Sequence, residues 1–194
     1  MGKSMKQHYE AFSVLNNKHV LNIILLAVLA LFINTASYAE NIPPLTHNLT
    51  KLKNPLAAPA LKLKNMDDEI VDIKDLKGKV VVINFWATWC PPCRREMSSL
   101  ERLHLATKDK NVVLLAVNVG EDMDTIFPFL GMIAPSPSFP ILFDSDASAM
   151  KKWKVRGLPT TYVVSPQGKI VYRAVGGREF DHPSIQEAVI KLTK

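Results

Sequence analysis

The sequence predicts an α/β domain: a mixed central sheet with helices on both faces. Three observations carry this. Val80 to Phe85, within "KVVVINFWA", is a continuous run, β-branched and aromatic at every position but Asn84. It is too short for a helix and apolar on both faces, the pattern of a central buried strand. After Cys90 the period changes, and Cys93, Met97, Leu100 and Leu103 fall three or four residues apart, one helical stripe running to about Thr107. Near the C-terminus, "TTYVVSPQGKIVYRAV" reads as two strands turning at Pro166 to Gly168, with an amphipathic helix, Ser184 to Leu192, behind it. Strands and helices that alternate and then close with a hairpin and a helix imply a sheet covered on both sides.

The other elements follow in order. "LKLKNMDDEIVDI" alternates apolar and polar residues around "MDDE", which predicts a small hairpin turning near Asp67 and Asp68. Gly78 punctuates the chain before the central strand. Asn111 to Val119 is a second buried strand. Asp122 to Ile133 reads as a helix with Asp122 and Asp124 at its positive end and Pro128 as a candidate kink. A turn-rich "PSPSFP" leads to a short strand at Ile141 to Phe143, and Asp146 to Trp153 reads as a short helix.

The first 39 residues stand apart from this domain. Lys3, Lys6 and Lys18 precede the apolar run Val20 to Ile33, and Ser37 and Ala39 sit at −3 and −1 of a cleavage site before Glu40. That is the layout of a secretory signal. A retained membrane anchor is the other reading, since Val20 to Tyr38 approaches spanning length. Either sends the rest of the chain across a membrane. Residues 40–60, with Pro43, Pro44, Pro55 and Pro59, read as a flexible tether, and residues 61–194 as the domain.

Composition excludes some classes. The net charge of +6 falls to +4 when Lys3, Lys6, Lys18 and Glu10 leave with residues 1–39, and no basic cluster is interleaved with aromatics. Nucleic-acid binding has no support. Cys90 and Cys93 are the only cysteines of 194 residues. A tetrahedral metal site needs about four ligands; His104 faces down its helix and His47 sits in the tether, so no metal and no cofactor are expected.

A structural staple closing so short a loop gives only about 2 kcal/mol in the chain-entropy model. A redox pair accounts for more of the residues. Pro91 and Pro92 lack N–H donors and are tolerated only in a first turn, so the helix begins at the cysteines. There the unpaired N–H groups and the macrodipole stabilise a thiolate, with Arg94 and Arg95 adding positive charge. Cys90, outermost, is then the exposed attacking thiol, and Cys93, one turn in, the buried resolving thiol.

"VVINFWATWCPPCRREM" resembles the active-site segment of the thioredoxin superfamily, and "FWATWCPPC" followed by Arg-Arg-Glu resembles its TlpA-like, extracytoplasmic thiol-disulfide oxidoreductase branch. The resemblance covers Leu61 to Leu192 and implies a thioredoxin fold, with an N-terminal β-hairpin and a central βα insertion between Asp122 and Phe143. It implies a redox-active Cys90–Cys93 disulfide. In "GLPTTYVV" it places Pro159 as a cis-proline facing that disulfide, with Leu158 offering backbone groups to a bound peptide. Trp89 and Pro91 complete the implied substrate-binding set, Trp89 as part of an apolar collar, whereas Trp86 reads as core and His182 as surface.

Departures from the pattern matter. Thioredoxin carries a buried aspartate in the central strand for proton transfer to the inner cysteine; here that position is Asn84. The branch has a glutamate three residues after the second cysteine, here Glu96, on the helix face of Cys93. Its residues alone allow two readings, proton handler or helix-terminus carboxylate, and the family pattern implies the first. Relatives often have proline where this chain has Ser98, so no kink is expected there.

The resemblance implies a protein-disulfide reductase for secreted proteins, apocytochrome c among the client classes, fed by a membrane electron-donor protein. The chain is expected to be a periplasmic monomer, soluble after cleavage or anchored. "GLPTT" departs from the "GAPET" usual in cytochrome-maturation members. A disulfide oxidase or isomerase would share the site at a higher potential. A non-catalytic binding or chaperone module would use the same apolar rim without the cysteines. A peroxidatic cysteine has threonine three residues before it, and Thr88 is two before Cys90.

Overall fold

The computed structural model describes residues 19–27 and 44–194. The chain divides into two units, Met1–Pro44 and Leu45–Lys194. In the first, residues 19–27 are helical with exposed side chains. The rest of the segment read as a signal or anchor, and the expected cleavage site, lie outside the described residues. No described helix is long and apolar enough to cross a membrane.

The second unit runs β1 (Thr50–Ala57), β2 (Lys62–Lys64), β3 (Ile70–Asp72), β4 (Val80–Trp86), α1 (Pro91–Thr107), β5 (Val112–Val119) and α2 (Met123–Leu130). It continues through β6 (Ile141–Asp144), α3 (Ser148–Lys152), β7 (Thr160–Val164), β8 (Lys169–Val175) and α4 (Pro183–Ile190). Strands β2 and β3 pair as the small hairpin, and the others form a six-stranded sheet in the order β1-β8-β7-β4-β5-β6. β4, β5 and β6 are parallel; β7 runs antiparallel to β4 and to β8. The expected mixed sheet is present.

Alternation along β4 splits the core in two. Val80, Val82 and Trp86 face a layer containing Met97, Leu100 and Leu103 of α1, Ile126 and Phe129 of α2, and Ile185 and Val189 of α4. Val81, Ile83 and Phe85 face the other layer, with Leu61, Ala149, Trp153 and Tyr162. Asn84 has the parity of Val82 and Trp86, so it stands on the α1 side of the sheet. A polar residue in the middle of an otherwise apolar buried strand needs a partner there.

The tether read over residues 40–60 is corrected. Residues 50–57 are β1, hydrogen-bonded antiparallel to β8, and the unit starts at Leu45 rather than Leu61. β1 is an edge strand exposed along nearly its whole length, so its side chains carry no alternation. Its register slips between Lys51 and Leu56, around Pro55, which has no N–H to give a ladder. What holds it is backbone pairing, which leaves no mark on side-chain pattern. No kink was expected at Ser98, and α1 is continuous through it. Pro128 lies inside α2, which ends at Leu130 instead of Ile133.

Candidate active site

Cys90 is the N-cap of α1 in an extended conformation, with Pro91 and Pro92 in the first turn. The proline that follows Cys90 disfavours helical backbone at Cys90 itself, while its own fixed φ suits the first helical position. Cys90 and Cys93 are joined in a disulfide with their Cα atoms 5.3 Å apart. The sequence-based expectation of an exposed Cys90 is corrected: it is 3% accessible and Cys93 0%. Both cysteines belong to the buried cluster that also contains Trp86, Met97 and Phe129 in this oxidised state. The Arg94 guanidinium lies 5.4 Å from the centre of the Phe129 ring, holding positive charge near the helix start.

One turn further on, Glu96 is fully buried. Its Oε1 accepts from Asn84 Nδ2 at 2.8 Å and its Oε2 from the Arg178 backbone N–H at 2.9 Å. Burial pushes the Glu96 carboxyl up from 4.5 to about 8, against the opposing pull of the Asn84 and Arg178 hydrogen bonds and the Arg178 charge. Such a group exchanges protons near neutral pH. Asn84 lies directly across from Thr161 in the β4–β7 ladder, and its Nδ2 also donates to Thr161 Oγ1 at 2.9 Å. Glu96 is thus held between β4 and the loop after β8, three residues from Cys93.

The loop entering the helix is braced separately. Glu121 accepts from the Thr88 N–H at 2.8 Å, from the Thr88 hydroxyl, and from Asn118 Nδ2 at 2.6 Å. Trp86 is buried as expected, and Trp89, next to Cys90, is 68% exposed. Pro91 is exposed as well. The Leu158–Pro159 peptide bond is cis as expected, Pro159 is buried, and its carbonyl accepts from Gly176 N at 2.9 Å. Leu158 is half-buried against the core layer that contains both cysteines.

Residues from the misread tether also reach this region. A Cβ on Gly177 would come within 2.4 Å of the Leu45 side chain and 3.3 Å of Pro92, so this segment packs closely against the cysteine loop. Arg178 donates through Nε to Asn48 O at 2.8 Å while its own backbone N–H holds Glu96. His182 caps α4, accepting from Ser184 N, and stacks on His47 with ring centres 4.1 Å apart. No cluster of metal-ligating side chains occurs among the described residues.

A disulfide at a helix N-terminus, a buried carboxyl on the same helix and a cis-proline before the neighbouring strand together define a thioredoxin-fold protein with a CxxC pair. The chain belongs to the AhpC/TSA family, whose model matches residues 56–173. It is 35% identical over 119 residues to the thiol-disulfide oxidoreductase ResA of Bacillus subtilis, a match covering 61% of this chain and 65% of that protein. The chain thus spans just under two thirds of that relative's length. Among solved structures it resembles the thiol:disulfide interchange protein DsbE of Chlorobium tepidum, with a TM-score of 0.66 and 26% identity over 76% of this chain and all of the other. StoA of Bacillus subtilis is similar too, with a TM-score of 0.57 and 25% identity over 72% of this chain and all of the other.

Asn84 was legible only as a departure, and Thr161, Arg178 and Glu121 not at all. Thr161 meets Asn84 across 77 residues of chain and Arg178 meets Glu96 across 82, by sheet pairing and loop closure, signals no local pattern contains. Asn84 alone left a trace, as the one polar residue in an apolar strand.

Proposed function

We propose that this protein is an extracytoplasmic thiol-disulfide oxidoreductase that reduces disulfides of secreted proteins. The observation that carries the reading is the Cys90–Cys93 pair at the start of α1 with Glu96 buried one turn behind it. In the reduced protein the Cys90 thiolate, stabilised by the helix N-terminus, attacks a client disulfide. A mixed Cys90–client disulfide forms and one client sulfur leaves as a thiolate. Cys93 then gives its proton to the Glu96 carboxylate and attacks the Cys90 sulfur. The second client thiolate departs, leaving the Cys90–Cys93 disulfide and a client dithiol. Two electrons have moved to the client, and a dithiol donor at the membrane restores the pair.

Exposed Trp89 and Pro91 supply the docking rim beside Cys90, and the backbone at Leu158 and cis-Pro159 supplies hydrogen-bonding groups to an extended client segment. The N-terminal apolar segment and the likeness to the thiol-disulfide oxidoreductase ResA support the location and the chemistry. Apocytochrome c cysteines are the client class proposed.

Insulin reduction with a thiol donor tests the activity. The wild type should turn over insulin, and the Cys90→Ser/Cys93→Ser double variant should not. Equal rates from the two would leave a non-catalytic binding module instead. Thiol trapping in quenched cells tests direction: Cys90 should be largely reduced, and a fully oxidised pool would show an oxidase.

A further inference from the structure

We propose that Asn84 is a positioning residue for the Glu96 proton: its amide N–H holds the carboxylate, and the amide turns over to accept from the carboxylic acid. The inference rests on the reading of Glu96 as proton handler for Cys93. Asn84 is fully buried, and its Nδ2 divides its two hydrogens between Glu96 Oε1 and Thr161 Oγ1. Its Oδ1, equally buried, has no partner among the described residues. An ionised carboxylate accepts only, so this orientation is the one that fits charged Glu96.

Protonation reverses the requirement. Oε2 already faces the Arg178 N–H, so an added proton belongs on Oε1, where it meets the Asn84 N–H donor. Rotating the amide by about 180° exchanges Oδ1 for Nδ2 with little change of shape. Oδ1 then accepts from the Glu96 O–H, and the Thr161 hydroxyl turns from acceptor to donor. One end of the amide lacks a partner in either orientation. That penalty is therefore carried by both states, and the Glu96 proton selects between them. An aspartate in this strand would compete for the proton; asparagine follows it.

The charged surroundings leave this role to the amide. Arg178 is the cation that acts on Glu96 from the facing loop. Arg94 and Arg95 lie on the same helix with exposed side chains, and the disulfide between Cys90 and Cys93 is uncharged. The residues of β4 and β7 that share this face with Asn84, namely Val82, Trp86, Thr161 and Val163, bring no carboxylate or base to it.

The test uses the full-length oxidised protein and follows the Glu96 carboxyl carbon and the Asn84 side-chain amide by NMR across pH. The Asn84 NH2 resonances should shift with the same midpoint as the Glu96 carboxyl, and stay flat in Glu96→Gln. Asn84→Leu, close in volume but without donor or acceptor, should raise the Glu96 midpoint by about one unit, because the charge-assisted bond lost by the carboxylate is stronger than the neutral bond lost by the acid. If that variant does not fold, Asn84→Asp keeps the shape and should give two coupled midpoints in place of one. Asn84 resonances that ignore the Glu96 titration, or a Glu96 midpoint unmoved in folded Asn84→Leu, overturn the proposal. Turnover by Glu96→Gln at the wild-type rate and pH profile would overturn the proton-handler reading instead, and leave the NMR result standing on its own.

Discussion

Two glutamates five residues apart on α1 are both buried, Glu96 at 0% and Glu101 at 2% accessibility, yet they stand in different surroundings. Five residues turn the helix by about 140° beyond a full circle, so the two face different neighbours. Glu101 takes both of its hydrogen bonds from one residue, Ser138 N at 2.8 Å and Ser138 Oγ at 2.6 Å, and thereby fastens the loop before β6 to the helix. Glu96 takes its two from separate elements, the β4 strand and the loop after β8, on the helix face of Cys93. Burial alone therefore does not distinguish the two carboxyls, and the proposed role of Glu96 rests on its neighbours. What matters is whether a reacting group shares its face and whether its donors leave the proton free to move.

The comparison breaks most sharply at the reacting end of the helix. Cys93→Ser should accumulate mixed disulfides with clients, because the intermediate cannot be discharged, and Cys90→Ser should accumulate none; non-reducing gels of trapped cells check this. Equal trapping by both would remove the assignment of outer and inner roles. Next, Glu96→Gln should slow reduction of a protein disulfide by roughly ten- to a hundredfold and flatten its pH dependence. Glu101→Ala should leave both unchanged, and a pH–rate profile of the two variants side by side decides it.

Stability should divide them the other way. The Glu96 carboxyl is raised in the folded state, from 4.5 to about 8. Over that window the unfolded chain has released a proton that the folded protein keeps. Stability is therefore fully present below about pH 4.5 and falls as pH rises through about 8. Denaturant melts of the oxidised protein should show a loss on the order of a few kcal/mol across this range, absent in Glu96→Gln. Glu101→Ala should instead lower stability by about 1–3 kcal/mol, since the Ser138 donors lose their acceptor. The smallest effect belongs to Arg102, one residue on, whose 2.6 Å ion pair with Asp181 is partly exposed. Arg102→Ala should cost less than about 1 kcal/mol by the same melts.

Local pattern made much of this legible in advance. The β4 run, the period change after Cys90 and the two prolines placed the helix start at the cysteines, because strand and helix periods and the missing proline N–H are properties of adjacent residues. The β7–β8 hairpin and the β2–β3 hairpin followed from turn chemistry in the same way. β1 escaped because an edge strand needs only backbone pairing, which exposed lysines and a proline do not advertise.

By itself, then, the order of residues determined that Cys90 and Cys93 open a helix behind a buried strand and that Glu96 follows on the face of Cys93. Only the tertiary structure decided what Glu96 meets. Asn84, Thr161 and Arg178 come to it through the antiparallel β4–β7 pairing and the return of the chain after β8, over separations of 12 to 82 residues. It also decided that Cys90 is covered rather than exposed in the disulfide, since the buried cluster holding both cysteines is completed by residues of the sheet and of α2. Helix placement is a matter of local dihedrals and missing donors. Burial and the proton affinity that follows from it depend on which distant groups exclude water, and no short stretch of sequence contains them.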